Sequence, residues 1–244
     1  MSSGNPAAQY YVGSIGSATA LARSTDGGID HGGEVPSGSK FIKEVTLLTA
    51  TSGAAPSTIA FLDYLLFYPF NGMDAGLVAL TNNVSLPRYE ATEGTQIMVV
   101  EQNPYVGAAQ IRIEYTNQDG VSGRTSPTMT LNSIANIGTI ATMAPTTANA
   151  PGRYVPLQSG DYGVQSIDAL EVVTGDVGVL CLVIVKPIAT VPIYEVNTPS
   201  SFDFWMHLGQ LPEVRNDAYL NAVMIPAGNA TGATIYGDIT TIWE

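Results

Sequence analysis

Few residues in this chain have the types and spacing that chemistry needs. A serine triad needs a histidine base, and the chain has two histidines, His31 and His207. Neither lies near a G-x-S-x-G turn, because none is present. His31 stands in DGGIDHGGE with Asp26, Asp30 and Glu34 around it. Those side chains could ligate a metal, but a glycine-rich loop offers nothing rigid to hold them. The expected state is a solvated acidic loop. His207 sits beside Trp205 in FDFWMHLG and reads as a packing or capping residue. Paired carboxylates could build a glycosidase, with Asp63, Glu101, Glu114 and Asp168 in or beside strands. With 21 acidic residues such coincidences are common, and sugar sites usually add exposed tryptophan, of which there are two, Trp205 and Trp243. No catalytic residue, cofactor site or metal site is assigned, and the chain is read as a non-enzyme.

The stretch QIRIEYTNQDGVSGRTSPTMTL, residues 110–131, raises the one loop worth testing. NQDGVSGRT lacks the Lys of a phosphate-binding P-loop and no helical pattern follows it. It has one carboxylate, Asp119, where a calcium loop needs several. Gly120 and Gly123 suit positive φ and Asp119 suits a turn start, so a hairpin connection accounts for the loop. Arg124 is the exception, and a contact to a carboxylate on a neighbouring subunit is its alternative reading.

Composition narrows the partners. The chain has 244 residues, 45% of them apolar and only 12% charged, with a net charge of −12. That charge disfavours sequence-independent nucleic-acid binding and anionic membrane surfaces. The single cysteine, Cys181, lies in VLCLVIV and reads as a small buried hydrophobe, so no disulfide framework is expected. The first residues, MSSGNPAAQYYVGS, carry neither a basic segment nor an apolar core. No secretion signal is expected there, and synthesis in a host cytoplasm is.

The elements that must position these residues read as strands. FIKEVTLLT and TQIMVVEQN look extended, and SIDALEVVT with VGVLCLVIVKPIATVPIY reads as a hairpin through TGDVG. IAFLDYLLFYPF reads as a strand covered on both faces and ended by Pro69, with a short helix as its rival. FDFWMHLG is the helix candidate, capped by Ser200 or Ser201 and stopped by Gly209. AYLNAVMI and ATIYGDITTIW supply the last strands. Phe61, Leu65, Phe67, Leu180, Leu182 and Ile184 are the expected core. Strands are not interleaved with helices, so the expected fold is all-β: an antiparallel β-sandwich of jelly-roll type with one or two short helices. Residues 1–40, rich in Gly, Ser and Ala, read as an extended N-terminal arm, and 41–244 as the sandwich domain.

A set of blocks is shared with a known group. AFLDYLLFYPFNGMD, SLPRY, YTNQDGVSGRT, PLQSGDYGVQSID, LVIVKPIATVPI and LPEVRNDAYLNAVMI resemble virion structural proteins of tailed bacteriophages, over roughly residues 60–240. The resemblance implies a capsid decoration or cement protein, a homo-oligomer, by analogy a trimer, that binds the phage major capsid protein on the virion surface. The alternative is a receptor- or glycan-binding module on a tail or fibre. On the cement reading the contact residues expected are Tyr10, Tyr11, Val12, Ile15 and Leu21 in the arm, with Arg124 in the hairpin loop.

Overall fold

A computed structural model describes residues 13–104, 107–132, 137–147, 151–175, 177–226 and 233–244. In chain order the first elements are β1 (Thr19–Ala20), α1 (Arg23–Asp26), β2 (Lys40–Thr49), β3 (Ser57–Gly72), β4 (Gly76–Ala79), β5 (Gln96–Asn103) and β6 (Gln110–Asn117). They continue as β7 (Arg124–Thr125), β8 (Met129–Leu131), β9 (Met143–Pro145), β10 (Val164–Thr174), β11 (Val179–Ile193), β12 (Ser200–Asp203), α2 (Phe204–Leu208), β13 (Leu220–Pro226) and β14 (Ile235–Trp243). Ten pairings between these strands are antiparallel, and the α-helices α1 and α2 have four and five residues. The fold is all-β, as the alternation requires.

The chain divides into two compact units, and the divisions fall inside β3 and β11. The unit that is inner in chain order, here the inner unit, is Tyr64–Lys186 together with the described segment 13–22. One of its sheets runs β1-β3-β11-β5 and the other β4-β10-β6-β8-β9. Beyond β5, single bridges join Met98 to Tyr154 and Val100 to Ile140. β3, β4, β5 and β6 fall alternately in the two sheets, β6 to β10 then stay in the second, and β11 returns to the first. Leu180, Leu182 and Ile184 of β11 and Ile97 and Val99 of β5 share one cluster with Ile111, Ile113 and Tyr115 of β6 and Ile167 and Leu170 of β10. Inward residues of both sheets thus interdigitate in a sandwich. Cys181, Val183 and Val185, of opposite parity on β11, are equally buried, so this strand has no wet face.

The outer unit is Arg23–Asp63 with Pro187–Glu244. Its three-stranded sheet is β12-β2-β14, and β13 pairs with Ser57–Asp63 of β3. Ile42, Val45 and Leu47 pack with Ile59, Phe61, Val191, Ile193, Phe204 and Leu220 to make its core.

Several expectations change at this level. The expected core residues are buried, all six at 2% exposure or less. Pro69 does not end β3, which runs on to Gly72. Phe70 takes φ 60 just after it, so the backbone turns without leaving the sheet. β10 and β11 form no hairpin, because they belong to opposite sheets. Both faces of β11 need cover, and a hairpin partner would leave that need unmet. Residues 13–40 are not an arm. Ala18 N–H donates to Thr81 O (2.8 Å) and Leu21 N–H to Leu65 O (3.0 Å) in the inner unit. In the outer unit Ile29 N–H donates to Leu220 O (2.8 Å), and Asn216 both accepts from Val35 N–H (3.1 Å) and donates to Val35 O (2.7 Å). Backbone bonding, rather than apolar bulk, fixes this segment.

Candidate functional site

The hairpin loop becomes a site of interlocked polar groups. β6 pairs with β7, Tyr115 opposite Arg124, so the loop between them returns Arg124 to the base of its own hairpin. Gly120 (φ 74) and Gly123 (φ 71) make the turn. Asn117 Oδ1 accepts from Asp119 N–H and Val121 N–H, each at 3.0 Å, which shapes the loop from within. A second loop, residues 158–163, closes on it. Gln118 Oε1 accepts from Tyr162 N–H (3.1 Å) and Gly163 N–H (3.2 Å). A Cβ on Gly163 would stand 1.8 Å from Ala91 O, so only glycine fits this approach.

Asp161 is the centre of the clasp. Its side chain is 3% exposed and receives Arg124 Nε at 2.8 Å. Arg124 Nη2 donates to the other oxygen at 3.1 Å, making the paired fork that suits guanidinium and carboxylate. Tyr115 Oη–H and Asn117 Nδ2–H donate at 2.8 Å each. Arg124 first, and then the other donors, hold the Asp161 carboxyl down at about 2. Burial pushes the Tyr115 phenol up to about 12, and its oxygen also accepts from Gln158 N–H (2.7 Å). Asp161 thus accepts from three side chains, and the group braces two loops.

The alternative partner for Arg124, a neighbouring subunit's carboxylate, gives way to Asp161 of the same chain. Leu21 is fully buried, and Arg88 Nη1 caps its carbonyl at 2.8 Å, so it is a buried residue rather than an exposed contact anchor. Ile15 is 75% exposed and remains available. Tyr10, Tyr11 and Val12 lie outside the described residues.

The carboxylates considered as a glycosidase pair lie on four different strands, β3, β5, β6 and β10. Asp63 and Glu101 are fully buried, in β3 and β5. Asp168 accepts from Asn82 (3.0 Å) and Ser166 (2.9 Å) on one oxygen and from Thr116 (2.8 Å) on the other. Glu114 lines a shallow groove of about 190 Å³ with Leu77, Arg112, Thr125 and Glu171. There Glu171 is already bound by Arg112 Nε at 2.7 Å.

His31 corrects the solvated-loop reading, being 1% exposed. Its Nε2 lies 3.0 Å from Ala218 O, so Nε2 carries the proton and Nδ1 is the bare acceptor, buried without a bonded partner. Burial lowers its pKa from 6.5, and Lys40 and Arg23 nearby add to the shift. Lys40 is buried too and donates to Gly33 O at 3.1 Å. Among the described residues no group of three or more His, Cys, Asp or Glu could hold a metal ion.

The outer unit displays what the clasp lacks. α2 is capped by Asp203, whose Oδ1 accepts from Met206 N–H at 2.9 Å. Ser200 and Ser201 do not cap it: the helix begins at Phe204, so the cap position falls on Asp203 and the serines lie upstream in β12. His207 stacks on Phe202, centroids 4.4 Å apart, and its Nδ1–H donates to Asp203 O at 2.8 Å. The helix buries Phe204 alone and leaves Trp205 62%, Met206 80% and Leu208 57% exposed. Tyr194, Tyr236 and Trp243, in the same unit, are also exposed. Comparison with known proteins adds no relative: no family model, curated protein or solved structure matches the chain.

Proposed function

We infer that this chain is a non-catalytic structural subunit of a tailed-phage virion, carried on the head as a decoration or cement protein bound to the major capsid protein. The observation that supports this reading is the surface of α2. Three adjacent large apolar side chains stand in water on a helix of five residues. Isolated surface hydrophobes need no explanation, but an apolar group that a short capped helix holds outward marks a contact surface. The resemblance of several sequence blocks to virion structural proteins suggests the kind of partner. The clasp and Asp168 use their polar atoms internally, which suits a scaffold better than an enzyme.

The exposed tryptophans also favour a second reading, a glycan-binding module on a tail or fibre, since an indole face is what a sugar ring stacks on. One mixing experiment separates the two. Undecorated heads and host polysaccharide are each incubated with the protein and with a Trp205→Ala/Met206→Ala variant. On the cement reading the protein binds heads, the variant does not, and binding changes little with salt because charge attraction is a minor term. Binding to polysaccharide with none to heads supports the fibre reading. An arm contribution is tested by deleting residues 2–12, since a deletion to 40 would also remove the buried Leu21, His31 and Lys40.

A further inference from the structure

We propose that β14 is the surface through which two copies of this chain pair, strand against strand and antiparallel, across a twofold axis. The inference goes beyond the virion reading and stands without it.

β14 is a nine-residue strand, and among the described residues β2 is the strand it pairs with. One row of its backbone N–H and C=O groups therefore faces away from the sheet. Such an edge is a template for another strand, and proteins usually shorten, cover or block it. The other edges here are managed in that way. β12 has four residues and β4 four. β9 has three and ends at Pro145. β13 is buried over its first four residues and ends at Pro226. β5 is bridged on its free side by Ile140 and Tyr154. β14 has no Pro, Lys or Arg, and its one charge is Asp238. The irregularity opposite it leaves β14 itself regular, because the pairing steps from Thr240↔Glu44 to Thr241↔Ile42 and so sets the extra residue, Lys43, in β2.

The occupant is specified by the order of residues. IYGDITTIW has apolar ends, a polar middle and an isoleucine at its centre, Ile239. Turned antiparallel about Ile239, it meets itself apolar to apolar. On the outer face Tyr236, 60% exposed, lies opposite Ile242 of the second copy, 39% exposed. On the other face Ile235 meets Trp243, which is 67% exposed. Asp238 falls opposite Thr240, not opposite itself. Shifting the centre one residue back sets the two Asp238 carboxylates face to face, which is unfavourable. Shifting it one residue forward pairs Tyr236 with Glu244 and Asp238 with Ile242. Only the Ile239 register is self-complementary, as a twofold interface must be. For a chain of net charge −12, a nine-residue strand with one carboxylate is also a place where two copies meet with little repulsion. The symmetry is twofold, unlike the threefold arrangement that the family resemblance implies.

The test uses the full-length protein in sedimentation and light scattering across the micromolar range. The expected species is a dimer. Thr240→Asp places two like-charge pairs across the junction and should weaken association by roughly tenfold, whereas Thr240→Lys, facing Asp238 of the second copy, should hold or tighten it. An equal mixture of Asp238→Cys and Thr240→Cys chains should form an interchain disulfide under mild oxidation, and Asp238→Cys alone should not. The cysteine pair also carries the test if Thr240→Asp fails to fold, and buried Cys181 does not compete. A chain that stays monomeric throughout, or one that Thr240→Asp and Thr240→Lys weaken equally, overturns the proposal.

Discussion

The clasp around Asp161 and the sheet edge at β14 answer the same problem in opposite ways. Both are turn-rich or peripheral stretches with polar backbone to satisfy. In the inner unit the 117–124 loop and the 158–163 loop satisfy one another, so that a buried carboxylate receives four donor contacts. In the outer unit β14 leaves a row of backbone groups and three large side chains to solvent. The difference teaches where to look for function in a chain with no visible chemistry. Charges that are scarce and fully bonded mark the scaffold. Apolar groups left unbonded mark the working surface.

The largest expected effect tests the scaffold side. Leu182→Ala empties a fully buried position in the inner sandwich and should cost about 2–5 kcal/mol in a reversible denaturant titration. A loss well below that range would mean that β11 is not the strand holding the sandwich together.

Next comes the clasp. Tyr115→Phe removes one donor to Asp161 and strands the Gln158 N–H, at a cost of about 1–3 kcal/mol. Arg124→Ala should destabilise through the same carboxylate, and Arg124→Lys should not restore it, because an ammonium cannot supply the paired fork. Equal stability of the lysine variant and the wild type would show that only charge matters there.

Acid should separate the two units. His31 has a folded-state pKa below 6.5, so its contribution is intact above 6.5 and is lost as pH falls through the window beneath that value. Asp161 is also depressed, from 3.8 to about 2, so its contribution is intact above 3.8 and is lost between there and about 2. Amide exchange in the outer unit should therefore quicken first on acidification, with the inner unit following only in strong acid. His31→Gln should remove the earlier phase. Simultaneous loosening of both units in that variant and the wild type would refute the assignment.

The smallest effect on stability belongs to the display side. Trp205→Ala and Trp243→Ala remove exposed rings and should change unfolding free energy by no more than about 0.5 kcal/mol. A large loss would place these rings in packing, not display.

Much of the fold was legible in the residues themselves. Alternation located β2, β5, β6 and β10, and the dense apolar run IAFLDYLLFYPF announced β3 as a strand covered on both faces. Gly120 and Gly123 announced the hairpin turn. What was hidden was long-range. Nothing near Arg124 names Asp161, thirty-seven positions away. Composition alone made the 23–40 loop look wet, because its anchors are backbone atoms and the distant Ala218 and Leu220. The helix cap moved from serine to Asp203 because β12 runs on to Asp203 and the helix begins only at Phe204. The polarity palindrome of β14 was printed in the sequence, but only the sheet shows that its edge is open.

The outer unit is discontinuous: Arg23–Asp63 and Pro187–Glu244 are joined through Tyr64–Lys186, the larger part of the inner unit. During synthesis the first part leaves the ribosome long before its partner strands exist. β2 then waits without β12 or β14, while the inner sandwich already has all its strands once β11 has passed Lys186. Domains generally fold as units as they emerge, so the inner sandwich should form first and draw together the two chain ends at which the outer unit is completed. Its compaction shortens the effective loop that the outer unit must close, which lowers the entropy that closure costs. A mutation that slows the inner sandwich would then show itself as misassembly of β2 and β14, far along the chain from the altered residue.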